Sequence, residues 1–262
     1  MSSSRENNEI LKIVKMSKNY GGVRALIDAD FSMNSNENVA IVGDNGAGKS
    51  TLVRCLTGVE KPTSGEIFFH GSKVKFNSPK DARKAGIETV YQNLALADHL
   101  DVSANIFLGR EEILFEFGPL SILKKNEMKK KSLELLDKTG IKIQDINQPL
   151  SGMSGGQRQC VAISRAAGWG SKLIIMDEPT AALGIQETTK VEKIIMSLKE
   201  KNIPVLIISH NLKQVFNLVD RIVVFRQGRI VKSVKTKETD GNEIVSLITG
   251  IDQKIHEGAS YI

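Results

Sequence analysis

The sequence is poor in cysteine, in aromatic residues and in long apolar runs. Its 262 residues include two cysteines and one tryptophan, and aromatic residues make up 5%. Cys55 and Cys160 lie far apart in the chain and have no neighbours that resemble metal ligands. We therefore expect two buried thiols in helices of a reducing compartment, rather than a disulfide framework or a zinc site. No apolar run reaches eighteen residues, so the sequence predicts no transmembrane helix.

The first residues, 1–9, are polar and of mixed charge. Because a secretory signal needs an apolar core, we expect the chain to stay in the cytosol. The 36 Lys and Arg residues against 30 Asp and Glu residues give a net charge of +6. Much of this basic excess lies in residues 124–131 and 226–237, where solvent-exposed faces account for it. Charge alone therefore predicts no nucleic-acid partner.

Short β-type runs alternate with helical patterns along the chain. The runs lie at residues 10–16, 39–42, 87–91, 173–176, 205–208 and 222–225. Several are apolar throughout, which is typical of strands buried on both faces of a parallel sheet. One helical stripe has the spacing i, i+3, i+4, i+7 and is expected to pack against that sheet. Its members are Val191, Ile194, Ile195 and Leu198. The alternation predicts an α/β fold with a mostly parallel core sheet.

Two stretches interrupt the alternation and define the expected organisation. Residues 60–75 contain a Pro-Thr-Ser-Gly turn and an apolar strand, which predicts an antiparallel β appendage. Residues 101–167 show helical spacing and almost no strand signal, so a helical insertion is expected there. We expect a single domain over residues 1–262. Its parts are a core (about 1–100 and 168–250), the helical subdomain (about 101–167) and a loose tail (251–262).

The strongest signal in the sequence fits the pattern G-x-x-x-x-G-K-[ST]. It reads Gly43-Asp44-Asn45-Gly46-Ala47-Gly48-Lys49-Ser50 and continues through Thr51. An apolar strand precedes it and a helical pattern follows, so its glycines can direct several N–H groups at one phosphate near the positive end of a helix. Lys49 is expected to reach the β- and γ-phosphates, and the Ser50 hydroxyl to bind Mg²⁺. The sequence thus predicts a nucleotide site.

Two apolar strands end in polar residues that suit the chemistry of such a site. Asp177 and Glu178 follow one strand, and His210 follows another. In parallel sheets, ligands gather at the carboxyl ends of the strands. We expect Asp177 to hold Mg²⁺, Glu178 to polarise the attacking water and His210 to contact the γ-phosphate. Taken alone, each of these residues has a structural alternative; the neighbouring phosphate loop favours the functional interpretation.

A third segment lies between the phosphate loop and the Asp-Glu pair. It reads Met153-Ser154-Gly155-Gly156-Gln157, and a helical pattern follows it. With these three segments in order, the chain resembles the ABC transporter ATPases over nearly its whole length. In that family, this signature loop covers the γ-phosphate of ATP bound to the opposite subunit. A hydroxyl, exposed glycine N–H groups and a helix N-terminus suit an anion. The resemblance therefore implies ATP and Mg²⁺ as cofactors and a second ATPase subunit as partner.

Further positions match the family, and two depart from it. Tyr20 resembles the aromatic residue that stacks on adenine, with a core tyrosine as the alternative. Gln92 resembles the glutamine that contacts Mg²⁺ and the attacking water, and His210 resembles the family's histidine switch. Met153 replaces the usual leucine, an apolar exchange of small cost. Gly184 stands where many members have aspartate, which is expected to weaken a contact between subunits.

The amino-acid sequence is similar to that of ATPases from monosaccharide importers of the ribose, xylose and fructose type in three segments, residues 95–102, 105–111 and 176–184. Many of those importers carry two fused cassettes, and this chain has one. The resemblance implies a homodimer or a separately encoded second cassette, at the cytoplasmic face of the cell membrane. It also implies permease subunits gripped by residues 92–110 and, indirectly, a solute-binding protein. Branched-chain amino acids are the alternative cargo.

The sequence disfavours three other function classes. A P-loop kinase or GTPase is disfavoured because there is no Asn-Lys-x-Asp base-reading motif and the signature loop would have no purpose. A soluble ABC ATPase that acts on DNA or ribosomes is disfavoured because such chains generally have tandem cassettes or long coiled insertions, and neither is seen in this sequence. A non-hydrolysing regulatory module is disfavoured because both Glu178 and His210 are present. The sequence favours an ATP-hydrolysing transporter subunit with no nucleic-acid partner.

Overall fold

Three β-sheets and eight α-helices are found in the computed structural model, which describes residues 8–117 and 120–251. The strands are β1 (Glu9–Tyr20), β2 (Val23–Asn34), β3 (Val39–Gly43), β4 (Ser64–Phe69), β5 (Ser72–Val74), β6 (Ile87–Val90), β7 (Ile113–Phe117), β8 (Leu120–Leu123), β9 (Leu173–Asp177), β10 (Val205–Ile208), β11 (Arg221–Arg226) and β12 (Arg229–Lys235). The helices are α1 (Lys49–Leu56), α2 (Pro79–Ala85), α3 (Val102–Phe107), α4 (Lys125–Lys138), α5 (Gly155–Ala167), α6 (Ile185–Glu200), α7 (Leu212–Leu218) and α8 (Gly241–Thr249).

The largest sheet has the strand order β12-β11-β3-β10-β9-β6. Strands β11, β3, β10, β9 and β6 run parallel, and β12 is antiparallel to β11 at one edge. Every residue of β3 and β10 is buried, as is β9 up to its last residue. The prediction of a mostly parallel core built from apolar runs is confirmed. Because the strands are parallel, the ends of β3, β9 and β10 meet at one edge of the sheet, where the candidate site lies.

The second sheet is antiparallel and has the order β2-β1-β4-β5. It confirms the β appendage predicted in residues 60–75, which contain β4 and β5. It also takes in the run 10–16, which belongs to β1 and pairs antiparallel with β2 and β4. Strand β2 was not predicted from the sequence. Its second half alternates buried and exposed residues, and its polar side chains face solvent, so no continuous apolar run marks it.

The stretch 101–167, predicted as a helical insertion with almost no strand signal, contains helices α3, α4 and α5 and also two strands. Strands β7 and β8 form an antiparallel hairpin within it. Residues Leu114, Phe115 and Ile122 of this hairpin are more than half exposed. Aromatic Phe115 and the β-branched residues Ile113 and Ile122 favour strand even without a core to cover them. The subdomain boundaries proposed from the sequence remain a prediction.

Helix α6 packs against the main sheet through the predicted stripe, whose four members are buried. Cys55 in α1 and Cys160 in α5 are free and buried, as predicted, and burial raises the pKa of each thiol to about 11. The predicted polar start and loose tail lie largely outside the described residues. Within residues 8–117 and 120–251, no helix has the length and apolar character needed to cross a membrane.

Candidate functional site

The phosphate loop connects β3 to α1, and its backbone shape requires glycine at two positions. Gly43 has φ +150°, and a Cβ there would lie 2.3 Å from the carbonyl oxygen of Phe225. Gly48 has φ +107°, and a Cβ there would lie 2.6 Å from the carbonyl oxygen of Ala25. Strands β11 and β2 thus press against the loop at both ends. Side chains larger than hydrogen would force the loop away from them.

Helix α1 begins at Lys49 without a side-chain cap and without an acidic residue in its first turn. Its first N–H groups therefore have no side-chain acceptor and suit an anionic ligand. The Lys49 side chain is 9% exposed, and its Nζ donates hydrogen bonds to the carbonyl oxygens of Gly43 (2.6 Å) and Asp44 (2.8 Å). Burial lowers the pKa of Lys49, while Glu178 and other nearby carboxylates act in the opposite direction. Lys49 forms no ion pair with a carboxylate of the described residues, and a phosphate here would supply the negative charge.

One cavity of about 200 Å³ brings most of the predicted catalytic residues together. Its lining includes the phosphate-loop residues Asn45, Gly46, Gly48, Lys49, Ser50 and Thr51, together with Gln92, Asp177 and Glu178. Gln92 reaches it from an exposed loop after β6, while Asp177 ends β9. Three segments separated by more than forty residues in sequence thus converge on one small, polar space.

Asp177 lines this cavity and is partly buried. Burial raises its pKa, the neighbouring charge of Glu178 raises it further, and Lys49 and Arg54 oppose both effects. Burial therefore disfavours the ionised form of Asp177, and a cation bound beside it would oppose that effect. A hydroxyl from Ser50, a carboxylate from Asp177 and the amide oxygen of Gln92 are oxygen ligands of the kind that Mg²⁺ prefers.

Glu178 has a left-handed backbone, with φ +50°, which is uncommon for a residue with a side chain. Its N–H donates to the carbonyl oxygen of Ile208 (2.9 Å), so the neighbouring strand holds this conformation. Its carboxylate accepts a hydrogen bond from the backbone N–H of His210 (3.1 Å) and lies 2.7 Å from the Nδ1 atom of the same residue. The carboxylate is 15% exposed, while the imidazole is 75% exposed. His210 thus fixes Glu178 from the solvent side.

The signature loop lies apart from this cavity in the same chain. Ser154 caps helix α5: its hydroxyl accepts from the N–H of Gln157, whose side chain accepts from the N–H of Ser154. None of residues 154–157 lines the phosphate-loop cavity. Ser154, Gly156 and Gln157 instead border a separate cavity of about 760 Å³ next to α6. The structure therefore separates these predicted nucleotide-binding residues from the others.

Tyr20 ends β1 and is 38% exposed, which does not fit the alternative of a core tyrosine. The Nζ atom of Lys18 lies 4.8 Å from the centroid of its ring. Tyr20 is not among the residues that line the phosphate-loop cavity. Its predicted contact with adenine stays a prediction.

Two side-chain interactions outside the phosphate-loop cavity were not predicted from the sequence. The Ser154 hydroxyl donates to a carboxylate oxygen of Glu187 (2.7 Å), and Glu88 pairs with Arg110 beside Trp169. Both join residues that are 22 or more positions apart. Glu187 lies in the first turn of α6, and nothing in the sequence indicates that Ser154 is its partner.

Comparison with known proteins agrees with this geometry. The model of the family described as ABC transporter matches residues 26–181. The chain is 46% identical to the xylose/arabinose import ATP-binding protein XylG of Sulfolobus acidocaldarius over 92% of this chain and 94% of that protein. It is 43% identical to the fructose import ATP-binding protein FrcA of Rhizobium meliloti over 92% and 94%. A solved dimeric post-hydrolysis state of an ATP-binding cassette, bound to ADP and Pi, superposes with a TM-score of 0.73 at 25% identity. It covers 88% of this chain and 100% of its own.

Proposed function

We propose that this chain, which belongs to the ABC transporter family, is the ATPase subunit that powers the import of a monosaccharide. The observation that carries the proposal is the single cavity that Lys49, Asp177 and Glu178 share at the ends of parallel strands. The two relatives named above are ATP-binding proteins of xylose/arabinose import and of fructose import, and this chain matches almost their full length. Neither of these two relatives is named for branched-chain amino acids, the alternative cargo.

The chemistry follows from the positions of the side chains. ATP places its phosphates on the loop N–H groups and at the start of α1, and Lys49 exchanges its two carbonyl partners for phosphate oxygens. Glu178, held by His210, accepts a proton from the water that attacks the γ-phosphorus. The bond from the γ-phosphorus to the β–γ bridging oxygen breaks, and ADP leaves with that oxygen. The oxygens of Ser50, Asp177 and Gln92 would hold Mg²⁺, which neutralises charge on the phosphate oxygens when bound.

We further propose that a second ATPase subunit completes the site. In one chain, Ser154, Gly155 and Gly156 do not line the cavity that holds the other proposed ligands. A second copy placed head to tail would bring its signature loop to the open side of that cavity, and the γ-phosphate would then gain donors from both chains. The dimeric cassette bound to ADP and Pi supports such an assembly.

The permease is proposed to dock in a groove of about 390 Å³ between the core and the helical subdomain. Arg83, Arg110 and Arg165 line this groove with one acidic partner, Glu88, so its charge is positive. Burial raises the pKa of Glu88, and Arg110 opposes that effect. Among the described residues, the Nε1 atom of Trp169 in this groove is the buried side-chain donor without a hydrogen-bond acceptor. A cytoplasmic permease segment with an acidic residue and an available carbonyl would satisfy these groups.

The decisive experiment uses the tagged chain purified with its membrane partners. The complex, reconstituted in vesicles, is expected to take up labelled xylose, arabinose or fructose when ATP is supplied on the side of this subunit. Uptake of leucine in place of sugars would transfer the proposal to the alternative cargo. ATPase activity without any co-purifying permease would refute the transport function.

A matched pair of variants tests the groove. Arg110→Glu is expected to abolish co-purification with the permease, because it reverses the charge that faces the partner. Arg229→Glu makes the same charge change on an exposed position of β12, outside the residues that line the groove. Equal recovery of the permease with both variants would remove the groove from the proposal.

A further inference from the structure

The signature loop already has an anion bound to it, supplied by the chain itself. Glu187, in the first turn of α6, accepts the hydrogen bond of the Ser154 hydroxyl at 2.7 Å. Its other carboxylate oxygen accepts from the N–H of Gly184 at 3.3 Å. A Cβ built on Gly156 would lie 2.7 Å from the Cβ, Cγ and Cδ atoms of Glu187, so this side chain lies directly against the loop.

The Ser154 hydroxyl has a single proton to donate. In this structure the proton goes to Glu187, while the hydroxyl oxygen accepts from the N–H of Gln157. Ser154 therefore has no donor left for a phosphate. The pKa of Glu187 is lowered, first by the Ser154 hydroxyl and then by the N–H groups of Gly184 and Gly156, so the carboxylate stays ionised at neutral pH. A γ-phosphate that approaches this loop meets both an occupied donor and a like charge.

We propose that Glu187 is a positioning residue that occupies the signature loop in place of the γ-phosphate and must release Ser154 before two cassettes can close on ATP. This inference rests on the proposed function, since it assumes that the loop receives the nucleotide of a second chain. It gives Glu187 a role that capping of α6 does not require. The carboxylate keeps the loop ordered in the open state and sets the ATP concentration at which the closed state forms.

The substitutions of Glu187 differ in what they leave on the loop. Glu187→Ala removes the acceptor and the charge, so the Ser154 hydroxyl is free to meet phosphate. Glu187→Gln keeps an acceptor of the same length but removes the charge, and neutral acceptors bind more weakly. The ATP concentration needed for dimer formation is therefore expected to be highest for wild type, lower for Glu187→Gln and lowest for Glu187→Ala. The decrease from wild type to Glu187→Ala is expected to be at least about threefold. A residue that merely capped α6 would show no such order.

The measurement is the ATP dependence of dimer formation by light scattering, in a Glu178→Gln parent that hydrolyses slowly. Glu192→Gln is the matched control, because it removes a negative charge from the same helix with no contact to the signature loop among the described residues. In a double-mutant cycle, Glu187→Ala should have a smaller effect in a Ser154→Ala background, because the hydroxyl donor that Glu187 occupies is then missing. In the assembled transporter, Glu187→Ala should lower the ATP concentration for half-maximal hydrolysis by a larger factor than it changes kcat.

The possible results separate the two proposals. If the parent dimerises with ATP and Glu187→Ala needs the same or more ATP, this inference is wrong and the shared site stands. If Glu187→Ala is poorly folded, the Gln variant decides by the same criterion, because it retains the acceptor for Gly184. If the parent forms no dimer at any ATP concentration, alone or with its permease, the shared site fails and this inference falls with it.

Discussion

Replacement of Glu178 by glutamine isolates the charge of the proposed catalytic base. Glutamine has the same length, and its amide oxygen can still accept from the backbone N–H of His210, now 3.1 Å from the carboxylate. The hydrogen bond from the Glu178 N–H to the carbonyl oxygen of Ile208, which holds the left-handed backbone, involves no side-chain atom. The change therefore removes proton-accepting power while leaving the geometry in place.

The expected loss follows from the usual contribution of a general base, about 10²–10⁴-fold in kcat, or about 3–5 kcal/mol in the barrier. ATP binding should persist, because Lys49 and the loop N–H groups are untouched. Phosphate release at saturating ATP and Mg²⁺ measures the loss, and a nucleotide titration measures retention of binding. Turnover within a few-fold of wild type in Glu178→Gln would refute the assignment of Glu178. Loss of ATP binding in the same variant would show that the substitution had disturbed more than the base.

Three further predictions test other parts of the site. Lys49→Ala should weaken ATP binding at least about tenfold, because a charge-assisted contact to phosphate is lost; unchanged affinity in a titration contradicts the placement of the phosphates. Gly48→Ala should lower the free energy of unfolding by about 2 kcal/mol more than Gly46→Ala in urea titrations. Both positions have positive φ, but only at Gly48 would the new Cβ clash, 2.6 Å from the Ala25 oxygen, so equal losses contradict the reasoning. Asp177→Asn should raise the urea midpoint at pH 7. The folded-state pKa of Asp177 is raised, chiefly by burial, so its contribution to stability is present at low pH and is lost as pH rises through that pKa. The neutral asparagine avoids this loss, and a lower midpoint at pH 7 would contradict the sign.

The parts of the site that could be predicted are those encoded within a few consecutive residues. A phosphate loop needs a strand end, glycines and a helix start in immediate succession, and residues 43–51 supply all three. The pair Asp177 and Glu178 follows directly from the end of an apolar strand. The parallel sheet then brings these segments together, because strands that run in one direction end at one edge.

The parts that escaped prediction depend on pairing between distant segments. Strand β2 has no apolar run because one of its faces is solvated, so only its partner β1 identifies it as a strand. Nothing local distinguishes Glu187 from the exposed acidic residues of other helices. Its role depends on the approach of the starts of α5 and α6, which brings together residues 33 positions apart. Sequence patterns record local geometry, and such contacts arise only when helices pack.

This division has a physical consequence for how the protein is controlled. The two ends of the phosphate loop are fixed by sterics, since β11 lies too close to Gly43, and β2 too close to Gly48, for any Cβ. Its affinity for phosphate is therefore difficult to vary without loss of the fold. The contact between Ser154 and Glu187 is a single hydrogen bond between partly exposed side chains, and it can break without repacking a core. If the proposed shared site is correct, the ATP requirement is expected to be adjusted at the signature loop, where a small free-energy change alters closure of the dimer. The rigid loop proposed to bind the phosphates would stay the same.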